Sequence, residues 1–183
     1  MILGDSTEYE LLAKWAATCK NNNLSCEIGI REGLGSKVIL DHLKPNKHIG
    51  IDPYGNLNYQ HYDDTGSYQC DYTVSMRLKL LKDMADAGYE NFDLFHMTDI
   101  DFMNKFYDAG PFDFVHFDGP HMTRDVIREA VWFADRSSPG TRFVFDDYQK
   151  YNMGQIMDTL GFWDFRVLEK GENKICLEKQ KLK

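Results

Sequence analysis

Three aspartates stand where apolar runs give out. "FDFVHFD" (112–118) ends on Asp118, and "TRFVFDD" (141–147) ends on Asp146 and Asp147. One helix-like segment, 121–136, separates the two runs, so the runs read as parallel strands that are neighbours or nearly so. Adjacent strands lie about 4.8 Å apart. The carboxyl ends therefore bring Asp118 close to Asp146 or Asp147, where each pair of charges repels by about 4 kcal/mol at an effective dielectric near 20. A proton, water or a divalent cation can relieve that repulsion. All-oxygen donors suit hard ions such as Mg²⁺, Ca²⁺ or Mn²⁺ better than zinc. The alternative is a set of solvated strand-end carboxylates, one of them capping the helix that follows Gly119.

A second group of residues lies upstream. "EIGIREGLGS" (27–36) spaces Gly29, Gly33 and Gly35 as G-x-x-x-G-x-G behind an acidic Glu27. Dinucleotide sites use G-x-G-x-x-G to bring backbone against a pyrophosphate, and that pattern is absent, as is a phosphate-binding lysine–serine pair. A ligand without phosphates, carrying an amine and a ribose, suits an acidic residue here better. Asp52, ending the run "KHIGID", can accept hydrogen bonds from ribose hydroxyls. Gly-rich turns and strand-end aspartates also occur for purely structural reasons. Together, within one βαβ unit, they point to a nucleoside-type cofactor.

The histidines divide. His121 follows Asp118 at the start of a helix, where a neutral imidazole can take a proton near neutral pH; a purely structural histidine fits the same position. His116 alternates with Phe114 and reads as a hydrogen-bonded core residue. His61 stands among Tyr59, Tyr62, Tyr68 and Tyr72. That aromatic set is read either as the lining of an acceptor pocket or as an exposed loop.

The elements that must position these groups alternate in type. Helical spacing covers 7–20, 36–43, 73–88, a short stretch after Asp99, 121–136 and 152–160. Short apolar runs at 24–30, 47–52, 92–99, 112–118 and 141–147 read as buried strands. Residues 56–72 lack a steady period and are expected to form a long acceptor-facing loop. "FWDFRVLEK" and "NKICLEK", joined by "GE", form an antiparallel hairpin, because so tight a connection cannot join parallel strands. Strand–helix alternation gives an α/β fold with a mostly parallel sheet, helices on both faces and right-handed crossovers. Ligands then bind at the carboxyl ends of the strands. One domain over 1–183 is expected, with residues 1–23 supplying an N-terminal helix.

Bulk properties narrow the function. The 183 residues are 43% hydrophobic and 27% charged, with net charge −8. That balance disfavours a nucleic-acid surface, and no apolar stretch approaches a membrane span. Cys19, Cys26, Cys70 and Cys176 show no metal or disulfide spacing, and the start lacks a signal-peptide pattern. A cytoplasmic protein is expected, and a homo-oligomer is compatible with it.

The stretches "EIGIREGLGS", "IGIDPYG", "FDFVHFDGPH" and "PGTRFVFDDY" resemble class I S-adenosylmethionine-dependent methyltransferases. The resemblance is to the small-molecule O-methyltransferase group that includes macrocin O-methyltransferase and cephalosporin hydroxylase proteins, and it covers about residues 24–148. It implies a Rossmann-like, seven-stranded sheet closed by an antiparallel hairpin. It also implies S-adenosylmethionine as cofactor, with Glu27 and Gly29 near its methionine end and Gly33 and Ser36 completing the turn. Asp52 would lie on the ribose, Thr98 and Asp99 beside the adenine, and Asp118 between cofactor and acceptor. Asp118, Asp146 and Asp147 would hold a divalent cation, Mg²⁺ first, against vicinal oxygens of a small hydroxylated acceptor. Related sequences often read "DGDH"; Pro120 here replaces the second acid, which leaves His121 as the nearest base. The rival readings are a cofactor-binding protein of the same fold that does not methylate, and an NAD- or nucleotide-sugar-dependent enzyme.

Overall fold

A computed structural model describes residues 2–55 and 57–181. Residue 56 of the expected loop and both ends of the expected domain fall outside that range. The first apolar run, LSCEI, forms β1 (Leu24–Ile28), which pairs in parallel with β2 (Lys47–Ile51) on one side and β6 (Phe112–Phe117) on the other. β5 (Phe92–Phe95) extends the sheet beyond β2, and β7 (Ser137–Phe145) lies beyond β6. The last strand, β9 (Ile175–Lys179), inserts antiparallel between β7 and β8 (Phe165–Lys170). The resulting order is β5-β2-β1-β6-β7-β9-β8, a seven-stranded, mostly parallel Rossmann-like sheet with the antiparallel C-terminal hairpin that the sequence resemblance implies. Successive strands run outward from β1 to β2 to β5, and the chain then returns to the other side of β1. The crevice where order reverses therefore opens at the carboxyl ends of β1 and β6.

Burial explains the two layers. One face of the sheet packs Cys26, Val115, Phe117, Phe143 and Phe145 against helices that include α5 (Thr123–Ala134) and α6 (Met153–Gly161). The other packs Phe114, Val144 and Cys176 against α1 (Tyr9–Ala17) and α2 (Leu34–Leu43). Beyond α2, Leu80 and Met84 of α3 (Val74–Asp86) cover Ile30 and Phe92. The short α4 (Asp99–Lys105) starts at the end of β5, with the Thr98 side chain capping it.

Two boundaries differ from the sequence reading. "SSPG" does not merely end a helix: β7 already begins at Ser137, and a register irregularity between Phe112 and Phe114 absorbs the early start. Within 57–72 the chain forms a small antiparallel hairpin, β3 (Asn58–Gln60) with β4 (Ser67–Gln69), stacked by a Tyr59–Tyr68 edge contact. Three-residue strands are too short to show a period, and cross-strand aromatic pairing supplies what the pattern lacks.

Close approach at the crevice constrains one glycine strongly. Gly29 has φ +81°, and a Cβ there would stand 2.0 Å from the main-chain oxygen of Asp118. Main chain cannot swing aside as a side chain can. Gly29→Ala is expected to cost roughly 2–4 kcal/mol, read as a lower denaturant midpoint; an unchanged midpoint would mean that the β1 and β6 ends are not packed this tightly.

Candidate functional site

A cavity of about 480 Å³ opens at that crevice, within the usual size range for small-molecule sites. Gly29, Asp52, Thr98, Asp99 and Asp118 reach its wall from the ends of β1, β2, β5 and β6. Tyr59, His61 and Tyr72 close it from the hairpin side. Asp52 is 2% exposed, and its carboxylate is already engaged: Oδ2 accepts from the main-chain N–H of Ile30 (2.9 Å) and Arg31 (3.0 Å), and Oδ1 from that of Tyr54 (2.9 Å). Burial raises its pKa, against the pull of those three N–H groups. A carboxylate offers about four lone-pair positions, so capacity for a further donor is left on the cavity side. Asp99 accepts from Arg128 Nη2 at 2.9 Å, and Thr98 is occupied with its cap.

Glu27, Gly33 and Ser36 are not on the wall. The Ser36 hydroxyl donates to Glu27 Oε2, and Glu27 Oε1 faces His116 Nδ1 at 2.7 Å, one layer beneath the cavity. Gly35 makes room for this arrangement, since a Cβ there would lie 2.0 Å from Glu27 Oε1. In this arrangement Glu27 and Ser36, expected beside the cofactor, are hydrogen-bonded to each other. His116 is fully buried, as its alternation with Phe114 predicts.

The three aspartates separate into a pair and an outlier. Asp118 and Asp146 are within hydrogen-bond reach of each other. Burial and the neighbouring Asp146 charge push the Asp118 carboxyl well above its usual range. Burial pushes Asp146 the same way, but the Lys174 ammonium and the bond from Asp118 outweigh it and hold Asp146 below the usual carboxylate range. Lys174 Nζ lies 2.6 Å from Asp146 Oδ1, and the Ser6 hydroxyl donates to Oδ2 at 2.7 Å. Asp147, with φ +50°, turns toward the hairpin, where its Oδ2 accepts from Tyr62 Oη (3.1 Å) and Lys150 Nζ (2.8 Å). The three carboxylates are therefore not gathered around one ion: Asp146 holds an ammonium, and Asp147 faces a different partner.

His121 is also displaced from its expected place. It is 3% exposed, off the cavity wall, and stacks on Tyr151 with ring centroids 5.4 Å apart. Its Nδ1 lies 3.2 Å from His61 Nε2, and it is His61 that reaches the cavity. His61 Nδ1 and His121 Nε2 have no hydrogen-bond partner among the described residues. Burial lowers the pKa of both rings, that of His121 to about 4 with His61 adding to the effect. The pair is neutral at neutral pH and can accept a proton. Glu129 went unnoticed in the sequence, though it falls on the buried stripe of α5 between Val126 and Phe133. It is 1% exposed and kept protonated by burial and by Asp99.

The comparisons with known proteins agree with this architecture. The profile of a family described as a methyltransferase domain matches residues 26–148, most of the chain. The chain belongs to this methyltransferase family. No curated protein sequence matches it. Among solved structures it resembles an rRNA methylase from Streptococcus thermophilus, at 13% identity and TM-score 0.65, covering 98% of this chain and 100% of that one. A putative methyltransferase from Streptococcus mutans in complex with SAH aligns at 15% identity and TM-score 0.63, covering 96% and 99%. The N-methyltransferase NodS from Bradyrhizobium japonicum aligns at 10% identity and TM-score 0.62, covering 94% of each chain. At such identities the likeness is one of fold. No helix among the described residues is long and apolar enough to cross a membrane.

The buried imidazoles make stability depend on pH. The unfolded chain protonates His121 near 6.5 and the folded chain only near 4, so the stability this group contributes is full above pH 6.5 and falls as pH drops toward 4. His121→Phe, which keeps the stacked ring, is expected to remove up to about 3 kcal/mol of that dependence. Urea unfolding of both proteins at pH 7 and pH 4.5 measures it, and parallel pH profiles would refute the buried neutral ring.

Proposed function

We propose that this methyltransferase moves a methyl group from S-adenosylmethionine to a hydroxyl of a small acceptor held under the β3–β4 hairpin. The observation that carries this reading is His61: an imidazole on the wall of the cavity, its pKa lowered by burial and its Nε2 held against His121. The cofactor supplies an already activated methyl on a sulfonium. The residues present suit it. Gly29 lets a ligand approach the main chain, Asp52 keeps acceptor capacity for a ribose hydroxyl, and Thr98 and Asp99 stand where a base would lie.

The cofactor would supply the methyl and keep the released electron pair on its sulfur, and the proton of the acceptor hydroxyl would pass to the His61 imidazole. Holding oxygen, carbon and sulfur in line is the main task. Tyr59 and Tyr72 line the hairpin side of the cavity and limit water there, and His121 fixes the His61 ring. Pro120 removes the acid that related sequences carry, and His61, from another part of the chain, supplies the missing base. No step in this reading is routed through a metal, because Lys174 already places a cation beside Asp146.

Calorimetry with S-adenosylhomocysteine and methyl transfer from labelled S-adenosylmethionine to a panel of hydroxylated acceptors test the reading. Asp52→Ala is expected to weaken cofactor binding at least about tenfold. His61→Gln is expected to lower kcat by about 10²–10⁴ with cofactor affinity unchanged. A wild-type protein that binds the cofactor yet methylates no acceptor would favour the non-catalytic alternative, and one that binds none would end both.

A further inference from the structure

Lys174 is a fully buried lysine that the proposed reaction does not use. It stands at the entry to β9, where the sequence "NKICLEK" gives no sign that its side chain is inside. Its Nζ lies 2.6 Å from Asp146 Oδ1, donates to Ser6 Oγ at 2.9 Å and approaches His116 Nε2 at 3.5 Å. The Tyr9 ring covers it, with the centroid 5.6 Å away. Its main chain is clamped as well: the Glu8 carboxylate accepts from the N–H groups of Glu172, Asn173 and Lys174 at 2.7–2.8 Å. The ammonium thus sits in a cage closed by the segment preceding α1.

The groups around it are those that otherwise collect a divalent ion. Glu27, His116 and Asp118 each offer a ligand atom, and these atoms lie within 4.8 Å of one another. Asp146 adjoins them through Asp118. A mixed imidazole–carboxylate set of this kind suits first-row divalent ions. An ammonium is a compact point charge with three donors, and here it faces Asp146, Ser6 and His116, where a second cation would meet its charge directly.

We propose that Lys174 is the built-in cation of this cluster, that the native protein therefore takes up no divalent ion at the strand ends, and that removing the ammonium turns Asp118, Asp146 and His116 into a divalent-ion site. Without Lys174, His116 Nε2 and Asp146 Oδ1 lose the ammonium that faces them both. Lys174 does not touch the cavity; it acts by holding Asp146, and through it Asp118, in place. The inference does not depend on which acceptor is methylated.

Manganese is the probe, because free and bound Mn²⁺ are distinguished directly by electron paramagnetic resonance. The full-length wild-type protein is expected to bind no Mn²⁺ more tightly than about 1 mM, with S-adenosylhomocysteine affinity unchanged by EDTA. Lys174→Ala is expected to bind Mn²⁺ at least tenfold more tightly than wild type and to gain melting temperature from it. The double variant carrying Asp146→Asn as well should lose both effects. Lys174→Met, which fills the space without charge, serves as the packing control and should gain less than the alanine variant. Stoichiometric Mn²⁺ binding by the wild type that Asp146→Asn abolishes would overturn the proposal, as would a folded Lys174→Ala that gains nothing. If Lys174→Ala folds only with Mn²⁺ present, the proposal is supported. If it folds under neither condition, the wild-type titration decides. None of these readouts needs methyl transfer, so a failure here is separable from a failure of the proposed reaction.

Discussion

Ionisable groups buried under a sheet must be neutral or paired, because water cannot solvate them there. One chain of such groups crosses the sheet beneath the cavity. Ser25 Oγ meets His48 Nδ1 (2.8 Å), His48 Nε2 meets Ser36 Oγ (3.0 Å), and Ser36 donates to Glu27. From Glu27 the chain continues through His116 to Lys174, and from Lys174 to Asp146 and Asp118. Its strand members are set by register: Ser25 lies opposite His48, and Glu27 opposite both Gly50 and His116. A one-residue slip of any of these strands would turn its polar members into an apolar layer. The chain of contacts therefore specifies strand pairing as much as it stabilises it.

That constraint explains features otherwise unrelated. Gly35 is small because Glu27 needs the space. The segment before α1 lies against the strand ends because Ser6 and Glu8 complete the surroundings of Lys174. Burial holds His48 neutral, with its pKa lowered to about 4, so it joins two hydroxyls without adding charge. At the cavity floor the Asp118 carboxyl stands beside Asp146, whose own charge is matched by the Lys174 ammonium.

The sequence made the strand–helix alternation, the closing hairpin and the crevice legible, because each rests on local period or on a connection too short for the alternative. Asp52 and Gly29 were legible for the same reason: a strand end fixes its own neighbour. What the sequence hid depends on tertiary contact. Lys174 is indistinguishable from Lys179 in "NKICLEK" until the segment before α1 covers it. Asp146 and Asp147 are adjacent in sequence, yet one positive φ sends the second to Tyr62. His61 could not be chosen over His121, since only the folded hairpin shows which ring reaches the cavity. Glu129 was the exception, a buried carboxyl that helical spacing alone could have revealed.

The hairpin that carries His61 is also the element that covers the cavity, and the two roles are mechanically joined. The His121 N–H donates to the His61 carbonyl (2.8 Å), Asp63 accepts from the N–H of Thr123 at the start of α5 (3.0 Å), and Tyr62 donates to Asp147. All three tethers reach from the hairpin to the loops that end β6 and β7. In an enzyme whose base stood at position 120, the proton acceptor would be present whether or not the cover was in place. Here the base arrives with the cover. Under the proposed reaction, proton acceptance is available only when the hairpin is docked and water is excluded, and the strand-end aspartate expected to grip a metal is instead what docks it.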